Sequence, residues 1–367
     1  MTWPTEKLGS LVTIKTGRLD ANAADVDGLY PFFTCSREPL KINSHAFDCD
    51  AILIAGNGDL NVKHYNGKFN AYQRTYVVTS LSDKVLDTRY LFYFMDKYVE
   101  RLRELSIGGV IKYIKLGMLT DAEIPLPPLA EQKRIAAILD KADAIRRKRQ
   151  QAIKLADEFL RAVFLDMFGD PVTNPKGLKV STIGDLCDVV TGSTPSRKVE
   201  SYYGGDIPWV KTTEVDGYII NSTEESISEE GLRNSNCKVN PSGSIVLAMY
   251  GQGKTRGKVG ILGVPAATNQ ACAVIKPTSN ILMGYMYVYL QLSYESLRAL
   301  GQGAGQPNLN LSIVKSFPVV LPDHDSQVKF VRLTQFIAGL KEKISNGTAE
   351  SSSLFRSLSQ KSFSGGL

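Results

Sequence analysis

Histidine and cysteine are scarce in this chain, and both are scattered. Three histidines, at 45, 64 and 324, have no spacing that would gather them round a metal. Five cysteines, at 35, 49, 187, 237 and 272, form no CxxC pair and include an odd one, which suits a reducing cytoplasm better than a disulfide framework or a zinc site. Long apolar runs are missing too. Met1 to Ser10 carries Trp3, Pro4, Glu6 and Lys7 where a signal peptide needs a continuous apolar stretch. Ile281 to Leu292 is too short to span a bilayer and is interrupted by Gly284 and Gln291. There is no Asn-Pro-Pro-aromatic or Asp-Pro-Pro-aromatic run of an amino-methyltransferase and no Gly-rich cofactor fingerprint. These absences leave no catalytic residue, no metal ligand, no bound cofactor and no membrane segment to assign.

What is present is enough chain for two domains, with 367 residues of which 43% are hydrophobic. The formal net charge of +6 favours a polyanionic partner.

The chain says the same thing twice. Ile124, Pro125, Leu126, Pro127, Pro128, Leu129, Ala130, Glu131, Gln132 is matched by Val319, Val320, Leu321, Pro322, Asp323, His324, Asp325, Ser326, Gln327. Leu126 and Pro127 meet Leu321 and Pro322 at an offset of 195, and the same register pairs Leu116 with Leu311, Ile114 with Leu309 and Gly108 with Gly303. Further back the offset drifts as loop insertions require: Leu8, Gly9 and Gly17 match Ile183, Gly184 and Gly192 at 175, Ala51 to Ala55 matches Ser244 to Ala248 at 193, and Gln73 matches Gln270 at 197. A repeat of this length is a whole domain plus a helix, so it predicts two similar recognition units.

Residues 3 to 121 read as short β-rich runs, among them Ala51 to Ala55 and Thr75 to Thr79, interrupted by a helix near Thr88 to Ser106 on which Leu91, Phe94, Met95, Tyr98, Leu102 and Leu105 recur at helical spacing. The second half keeps that order, with strands at Ser244 to Ala248 and Ala271 to Ile275 before a helical stretch near Met283 to Leu300. After Pro128 no Gly or Pro appears until Gly169. Ile135, Ile138, Ala142 and Ile145, then Ala156, Leu160, Val163 and Met167, step by threes and fours. That is the narrow seam one long helix uses against another, on a rod roughly 60 Å long. The helix after Pro322 offers Val328, Val331, Leu333, Ile337 and Leu340 as its counterpart. The predicted class is mixed α/β: two similar domains, residues 1–127 and 171–322, separated by two long antiparallel helices, residues 128–170 and 323–367, in a pseudo-two-fold arrangement.

One motif competes with a recognition role. Ala248, Met249, Tyr250, Gly251, Gln252, Gly253, Lys254, Thr255 follows an apolar strand and satisfies a loose phosphate-binding loop. Yet Arg256, Gly257, Lys258, Val259, Gly260, Ile261, Leu262, Gly263, Val264, Pro265 cannot start the helix that such a loop needs. The same residues read as a basic loop, with Lys254, Arg256 and Lys258 for phosphates or guanine edges and Gln252 for a base edge. Its partner, Gly56, Asn57, Gly58, Asp59, Leu60, Asn61, Val62, Lys63, His64, Tyr65, is again Gly-rich and lacks the GKT run, a contrast that favours recognition over catalysis. Arg37, Arg74, Lys211, Thr212, Tyr250 and Thr255 join the candidates for DNA contact, being in or beside Gly-, Ser- or Thr-rich loops. Glu131, Gln132 and Lys133 formally give ExK, but an acidic residue there is ordinary helix-start chemistry. Two rivals stay open: a P-loop nucleotide enzyme built on Ala248 to Thr255, and a coiled-coil protein adaptor.

Taken together these features resemble the specificity subunit of type I restriction-modification systems, over essentially the whole chain. The Pro-Leu-Pro-Pro-Leu-Ala-Glu-Gln run that opens a long helix in that family stands intact at 125 to 132. The Asn-Gln pair found late in many of its recognition domains stands as Asn269 and Gln270, with only Gln73 kept in the first domain. In the second half Asp323, His324, Asp325 and Ser326 depart from the family's Pro-Leu-Ala-Glu, and the distal helix is polar. The resemblance implies a non-catalytic reader of double-stranded DNA, each domain taking one half of a bipartite site while the helices fix the spacer. It implies two adenine-methyltransferase partner subunits that carry S-adenosylmethionine, and recruitment of a translocating endonuclease subunit with ATP and Mg.

Overall fold

The structure, a computed structural model, describes residues 3–217, 219–251, 253–302 and 307–364. Its contacts fall into two units, Met1–Gln151 with Ile344–Leu367, and Ala152–Lys343, so that each long helix contributes one part to each unit.

The first unit holds strands β1 (Thr5–Lys7), β2 (Val12–Thr16), β3 (Tyr30–Phe33), β4 (Leu40–Ile42), β5 (Phe47–Ala55), β6 (Val62–Ala71) and β7 (Thr75–Ser80). Helices α1 (Thr88–Leu105) and α2 (Leu116–Thr120), strand β8 (Glu123–Pro125) and the start of α3 (Leu129–Phe168) follow. Six strands form a sheet in the order β2-β7-β5-β6-β3-β4, antiparallel except where β3 meets β6. The end of β5 is apolar on both faces because both are covered. Ile52 and Ile54 face the cluster of α1, with Tyr90, Leu91 and Met95, while Ala51 and Leu53 face Phe33, Phe69 and Val77. Asp87 caps α1 by accepting from the Tyr90 amide at 2.9 Å.

The second unit holds β9 (Lys179–Thr182), α4 (Ile183–Leu186), β10 (Val189–Thr191), β11 (Tyr203–Val210), β12 (Ile219–Ile220), β13 (Ser226–Ile227), α5 (Glu229–Arg233), β14 (Ile245–Ala248), β15 (Val259–Leu262), β16 (Ala267–Thr268) and β17 (Cys272–Ile275). Then come α6 (Met283–Leu292), α7 (Tyr294–Ala299), α8 (Leu311–Ser316), β18 (Pro318–Leu321) and α9 (His324–Ser364). Its sheet runs β10-β17-β14-β15-β12, and β11 lies between β13 and β16. The one helical stretch expected over Met283 to Leu300 is two helices, because Ser293 takes a ψ of 7° between them.

The repeat recurs in the sheet order and in several of its contacts. β2-β7-β5-β6 corresponds to β10-β17-β14-β15, and the parallel pair Phe33 with Ala71 to the parallel pair Val210 with Thr268. β1 pairs with β8 as β9 pairs with β18. Gly17 and Gly192 fill one role: a Cβ on either would lie 1.8 Å from the Ala71 carbonyl oxygen or 2.1 Å from that of Thr268. Tyr90 donates to the Pro125 carbonyl and Tyr285 to the Val320 carbonyl, each at 2.8 Å.

Both long helices form over the expected spans. Gly169, at φ +81°, ends α3. α9 starts differently from α3. The Asp323 carboxylate accepts from the Ser326 amide at 2.8 Å and hydroxyl at 2.7 Å, so side-chain capping stands where the first copy has Pro128. Within each unit the two helices run antiparallel. In the first, Arg149 donates to the Gly347 carbonyl and the Arg146 guanidinium lies over the Phe355 ring; in the second, Lys341 pairs with Asp157 at 2.5 Å and Phe330 packs edge-on to Phe164. Phe168 on α3 packs against Tyr285, and Phe363 on α9 packs against Tyr90, an exchange expected of a pseudo-two-fold repeat.

The seam differs in phase from the expected one. Gln132, Ile135, Ala136, Leu139 and Asp143 form the buried stripe of α3, whereas Ile138 and Ala142 are half-buried and Ile145 is 49% exposed. Both series fit helical spacing and share Ile135, but Ile138, Ala142 and Ile145 lie roughly 100° round the helix from the buried stripe, and only packing distinguishes them. Leu160, Val163, Val328 and Val331 are half-buried beside the buried Phe164, Phe168, Phe330 and Ile337, and Leu340 is exposed.

The glutamine opening each long helix is buried and spent. Gln132 donates to the Val85 and Pro127 carbonyls and accepts from the Asp87 amide, all at 2.9 Å. Gln327 donates to the Pro322 carbonyl and accepts from the Leu282 amide, both at 3.0 Å. Gln132→Ala and Gln327→Ala should each cost about 1 to 3 kcal/mol in denaturant unfolding, since each leaves buried backbone groups without a partner. Gln→Glu should cost more, because a carboxylate cannot donate to the carbonyls it would face. A variant at either site with an unchanged midpoint refutes this role.

Candidate nucleic-acid interface

In the first unit the loops after β2, β3 and β5 and before β7 are drawn into one cluster by backbone bonds. Gly56 N–H donates to the Arg74 carbonyl at 2.8 Å, Ala55 N–H to that of Asn61 at 3.0 Å and Gln73 N–H to that of Leu19 at 2.9 Å. The Asn61 amide reaches the Cys35 carbonyl at 2.9 Å. A fifth segment joins them: Ile107 and Tyr113 exchange two backbone bonds, Gly58 N–H donates to the Lys112 carbonyl at 2.9 Å, and Asn57 bridges to Tyr113.

This cluster gathers four of the residues proposed from sequence. Arg74 is exposed and Asn57 is half-buried. Arg37 is exposed and pairs with Asp59 at 2.8 Å. Lys63 is half-buried, donating to Asn61 Oδ1 at 2.5 Å and to the Thr34 carbonyl at 3.5 Å, and burial pulls its ammonium down to about 8. The other two lie elsewhere. Tyr65 packs against the Phe33 and Phe69 rings, and His64 sits between Asp50, at 2.6 Å, and Arg89, at 3.1 Å. Arg89 continues to Asp140 of α3, which also accepts from Tyr93 at 2.6 Å. His64 thus belongs to a hydrogen-bonded polar chain running from the sheet through α1 to the long helix.

The second unit repeats the cluster with different side chains. Met249 N–H donates to the Ala271 carbonyl at 2.8 Å and Leu309 N–H to that of Met249 at 3.0 Å, as Gly56 and Ile114 do in the first copy. β15 follows the Tyr250 to Lys258 loop, so no helix N-terminus completes a phosphate cradle there. Lys254 is exposed and its carbonyl accepts from the Tyr294 hydroxyl at 2.6 Å. Tyr250 is exposed, and Thr255 and Lys258 are half-buried. Arg256 is engaged within the unit, donating to the Pro307 and Arg298 carbonyls. Asn269 accepts from the Ala271 amide at 3.1 Å; Gln270 accepts from the Thr194 hydroxyl, whereas Gln73 donates to the Asp20 carboxylate at 3.3 Å. Gln252 lies outside the described residues.

Lys211, beside Thr212, is ion-paired to Glu224 and Glu225, each at 2.9 Å. Arg197 completes the group: its guanidinium lies 4.4 Å from the Tyr203 ring centroid and 5.0 Å from that of Trp209, and it pairs with Glu225 at 2.5 Å. Arg197 and then Lys211 hold the Glu225 carboxyl at about 2. Sequence reasoning passed over Arg197, Glu224 and Glu225. Only the run Thr194, Pro195, Ser196, Arg197, Lys198 gave a local signal, the same loop chemistry that nominated the others.

Among the described residues no group of three or more His, Cys, Asp or Glu could hold a metal ion, and no helix is long and apolar enough to cross a membrane.

Lys63 sets a pH dependence. Below about 8 the lysine is protonated in both states; between about 8 and its unfolded value only the unfolded chain holds the proton, so stability rises with pH through that window. Lys63→Met should remove that rise in unfolding free energy, measured from pH 7.5 to 10. An identical pH slope in the variant refutes the burial of this charge.

A family model described as the type I restriction modification DNA specificity domain matches residues 1–155 and again 175–347. The Escherichia coli type I restriction enzyme EcoDI specificity subunit is 42% identical over 165 residues, 44% of this chain and 36% of that one. The MjaVIII specificity subunit of Methanocaldococcus jannaschii is 24% identical over 373 residues, 93% of this chain and 87% of its own length. The MjaIX specificity subunit of the same organism is matched over 39% of its length, so the chain spans little more than a third of the EcoDI and MjaIX relatives. In fold it is similar to the crystal structure of a type I restriction-modification S subunit from M. genitalium, with 18% identity, a TM-score of 0.67, and 98% of this chain and 96% of that one covered. With the family domain matched on both copies of the repeat, this chain belongs to the type I restriction-modification DNA specificity family.

Proposed function

We propose that this chain reads DNA for a type I restriction-modification complex and has no catalytic residues of its own. The observation that carries the reading is the contrast within the repeat. Contacts of the frame at Gly17, Tyr90 and Gln132 recur in the second copy, while the loop clusters differ in chemistry: Arg37, Asp59 and Lys63 in one, and Arg197, Lys211, Glu225 and Lys254 in the other. A catalytic loop duplicated in this way would keep its reacting groups in both copies. A pair of readers for an asymmetric site should keep the frame and vary the contacts, since phosphate contacts position and base contacts specify.

Residues 1–127 and 171–322 each read one half of a bipartite duplex site, and the helical segments 128–170 and 323–367 set the unread spacer. Two methyltransferase subunits dock on the helical segments; S-adenosylmethionine belongs to them, and ATP and Mg to a translocating endonuclease subunit where the system restricts. Arg37, Asn57, Lys63, Arg74, Tyr250, Lys254, Thr255 and Lys258 are the first candidates for DNA contact. Gln252, Arg256, Asn269, Gln270, Lys211 and Thr212 flank or support them.

Co-expression with its methyltransferase partner and mapping of methylated adenines tests the reading; methylation independent of sequence would sink it. Lys254→Ala should weaken binding of the assembled complex across sequences and lower the salt slope by about one. ATP binding to the chain alone, lost on that substitution, would instead favour a nucleotide enzyme. Inserting four residues into both long helices adds about 6 Å to each rod. The unread spacer should then change and both half-sites stay the same. An active complex with an unchanged spacer would make the helices docking surfaces only.

A further inference from the structure

The loop between Ile107 and Tyr113 ends in two exposed apolar side chains. Val110 is fully exposed and Ile111 is 64% exposed, two adjacent branched apolar side chains at one loop tip. The tip is held out firmly. Ile107 and Tyr113 exchange backbone bonds at 3.0 and 2.9 Å, and Gly108, at φ +114°, makes the turn that projects the residues between them. Its base is bonded to the Asn57–Gly58 loop, inside the cluster that also carries Arg37 and Arg74, and exposed Lys112 follows the tip. The second copy keeps the frame, since Gln302 and Asn308 exchange the same two bonds at 2.9 Å, but its intervening sequence is Gly303, Ala304, Gly305, Gln306 and Pro307, with no branched apolar side chain.

We infer that Val110 and Ile111 read thymine, by apolar contact with its 5-methyl group in the major groove, as specificity-determining residues of the first domain. The inference rests on the DNA-reading assignment above. Neighbouring cations would bring the tip to a polyanion, and the base-edge group that an aliphatic side chain can recognise there is the thymine methyl. Valine reaches only one carbon beyond Cβ, too short to part a base step, so contact in the groove fits the tip better than insertion.

The test uses the full chain in complex with its methyltransferase subunit, on duplexes carrying the mapped site with each thymine of the first domain's half-site replaced in turn by uracil. Burial of one methyl group predicts about fourfold weaker binding at one or two of these positions. The double variant Val110→Ser, Ile111→Ser should bind the thymine duplex about as weakly as the parent binds the uracil duplex and should no longer distinguish the two. An unaltered melting transition and unaltered reading of the other half-site show that the variant is folded. The inference fails if every thymine-to-uracil change is neutral for the parent, if that half-site contains no thymine, or if the variant still discriminates uracil. An Ile111-dependent rise in 2-aminopurine fluorescence would mark base unstacking and overturn it in favour of a wedge. Lost binding of the methyltransferase subunit, with uracil neutral, would overturn it in favour of a protein contact. A parent complex that discriminates no sequence at all fails the underlying assignment instead.

Discussion

Each long helix begins with a glutamine whose side-chain amide is used up inside the protein, and much of the architecture depends on that use. Gln132 binds the amide of Asp87, the residue that caps α1, and the carbonyl of Pro127, the last turn of chain before the helix. Gln327 does the same to Leu282 and Pro322. One planar amide therefore fixes the start of a domain helix against the start of a long helix. The tyrosine bonds from Tyr90 to Pro125 and from Tyr285 to Val320 brace the short strand between them. A buried amide with both its donor and acceptor faces matched tolerates no rotation, because turning it leaves several backbone groups unpaired in a dry site. Two proline-rich steps and two glutamines thus convert a flexible domain-to-helix link into a joint of defined angle, twice in one chain.

Beyond that joint the copies diverge, and the divergence is physical. Where the first domain faces its long helix, His64, Arg89, Tyr93 and Asp140 form a continuous hydrogen-bonded chain centred on the Arg89–Asp140 ion pair. At the matching place in the second domain Ile261 stands on the strand and Gly284 on the helix, and a Cβ at Gly284 would already lie 3.2 Å from Val331 of α9. One contact is electrostatic, partly exposed and weakened by salt; the other is apolar and insensitive to it. A side chain at Gly284 would therefore press on Val331 unless that valine gave way by a few tenths of an ångström.

Much of this was legible in the sequence, for a reason specific to repeats. Offsets of 175, 193, 195 and 197 aligned Gly17 with Gly192 and Gln132 with Gln327 before any contact was known, and a residue demanded twice at one place reports a constraint. The bounds of α3 were legible because Pro128 and Gly169 frame an uninterrupted helical composition. The phase of its seam was not, because Ile135 belongs both to the buried stripe through Leu139 and Asp143 and to the apolar series ending at the exposed Ile145. Charge partners were illegible too. The Lys211 and Arg197 pairs with Glu224 and Glu225, and the engagement of Arg256 by the Pro307 carbonyl, join residues far apart in sequence, and no local rule brings them together.

The same reasoning separates what such a chain must keep from what it is free to change. Gly17, Tyr90 and Gln132 act on backbone groups, whose geometry is common to both copies, so their partners recur whatever the loops contain. The loop clusters are anchored by backbone bonds as well: Gly56 to Arg74 and Met249 to Ala271, Ile114 to Gly56 and Leu309 to Met249. These anchors spend only main-chain atoms, while a few side chains, among them Asn61, Arg256 and Arg298, add bonds to loop carbonyls. Val110 and Lys254 are exposed and are not among these, so they can be exchanged for other chemistry without disturbing the frame. A scaffold that stays constant while its exposed side chains vary needs that division, and here the main-chain anchors supply the constant part.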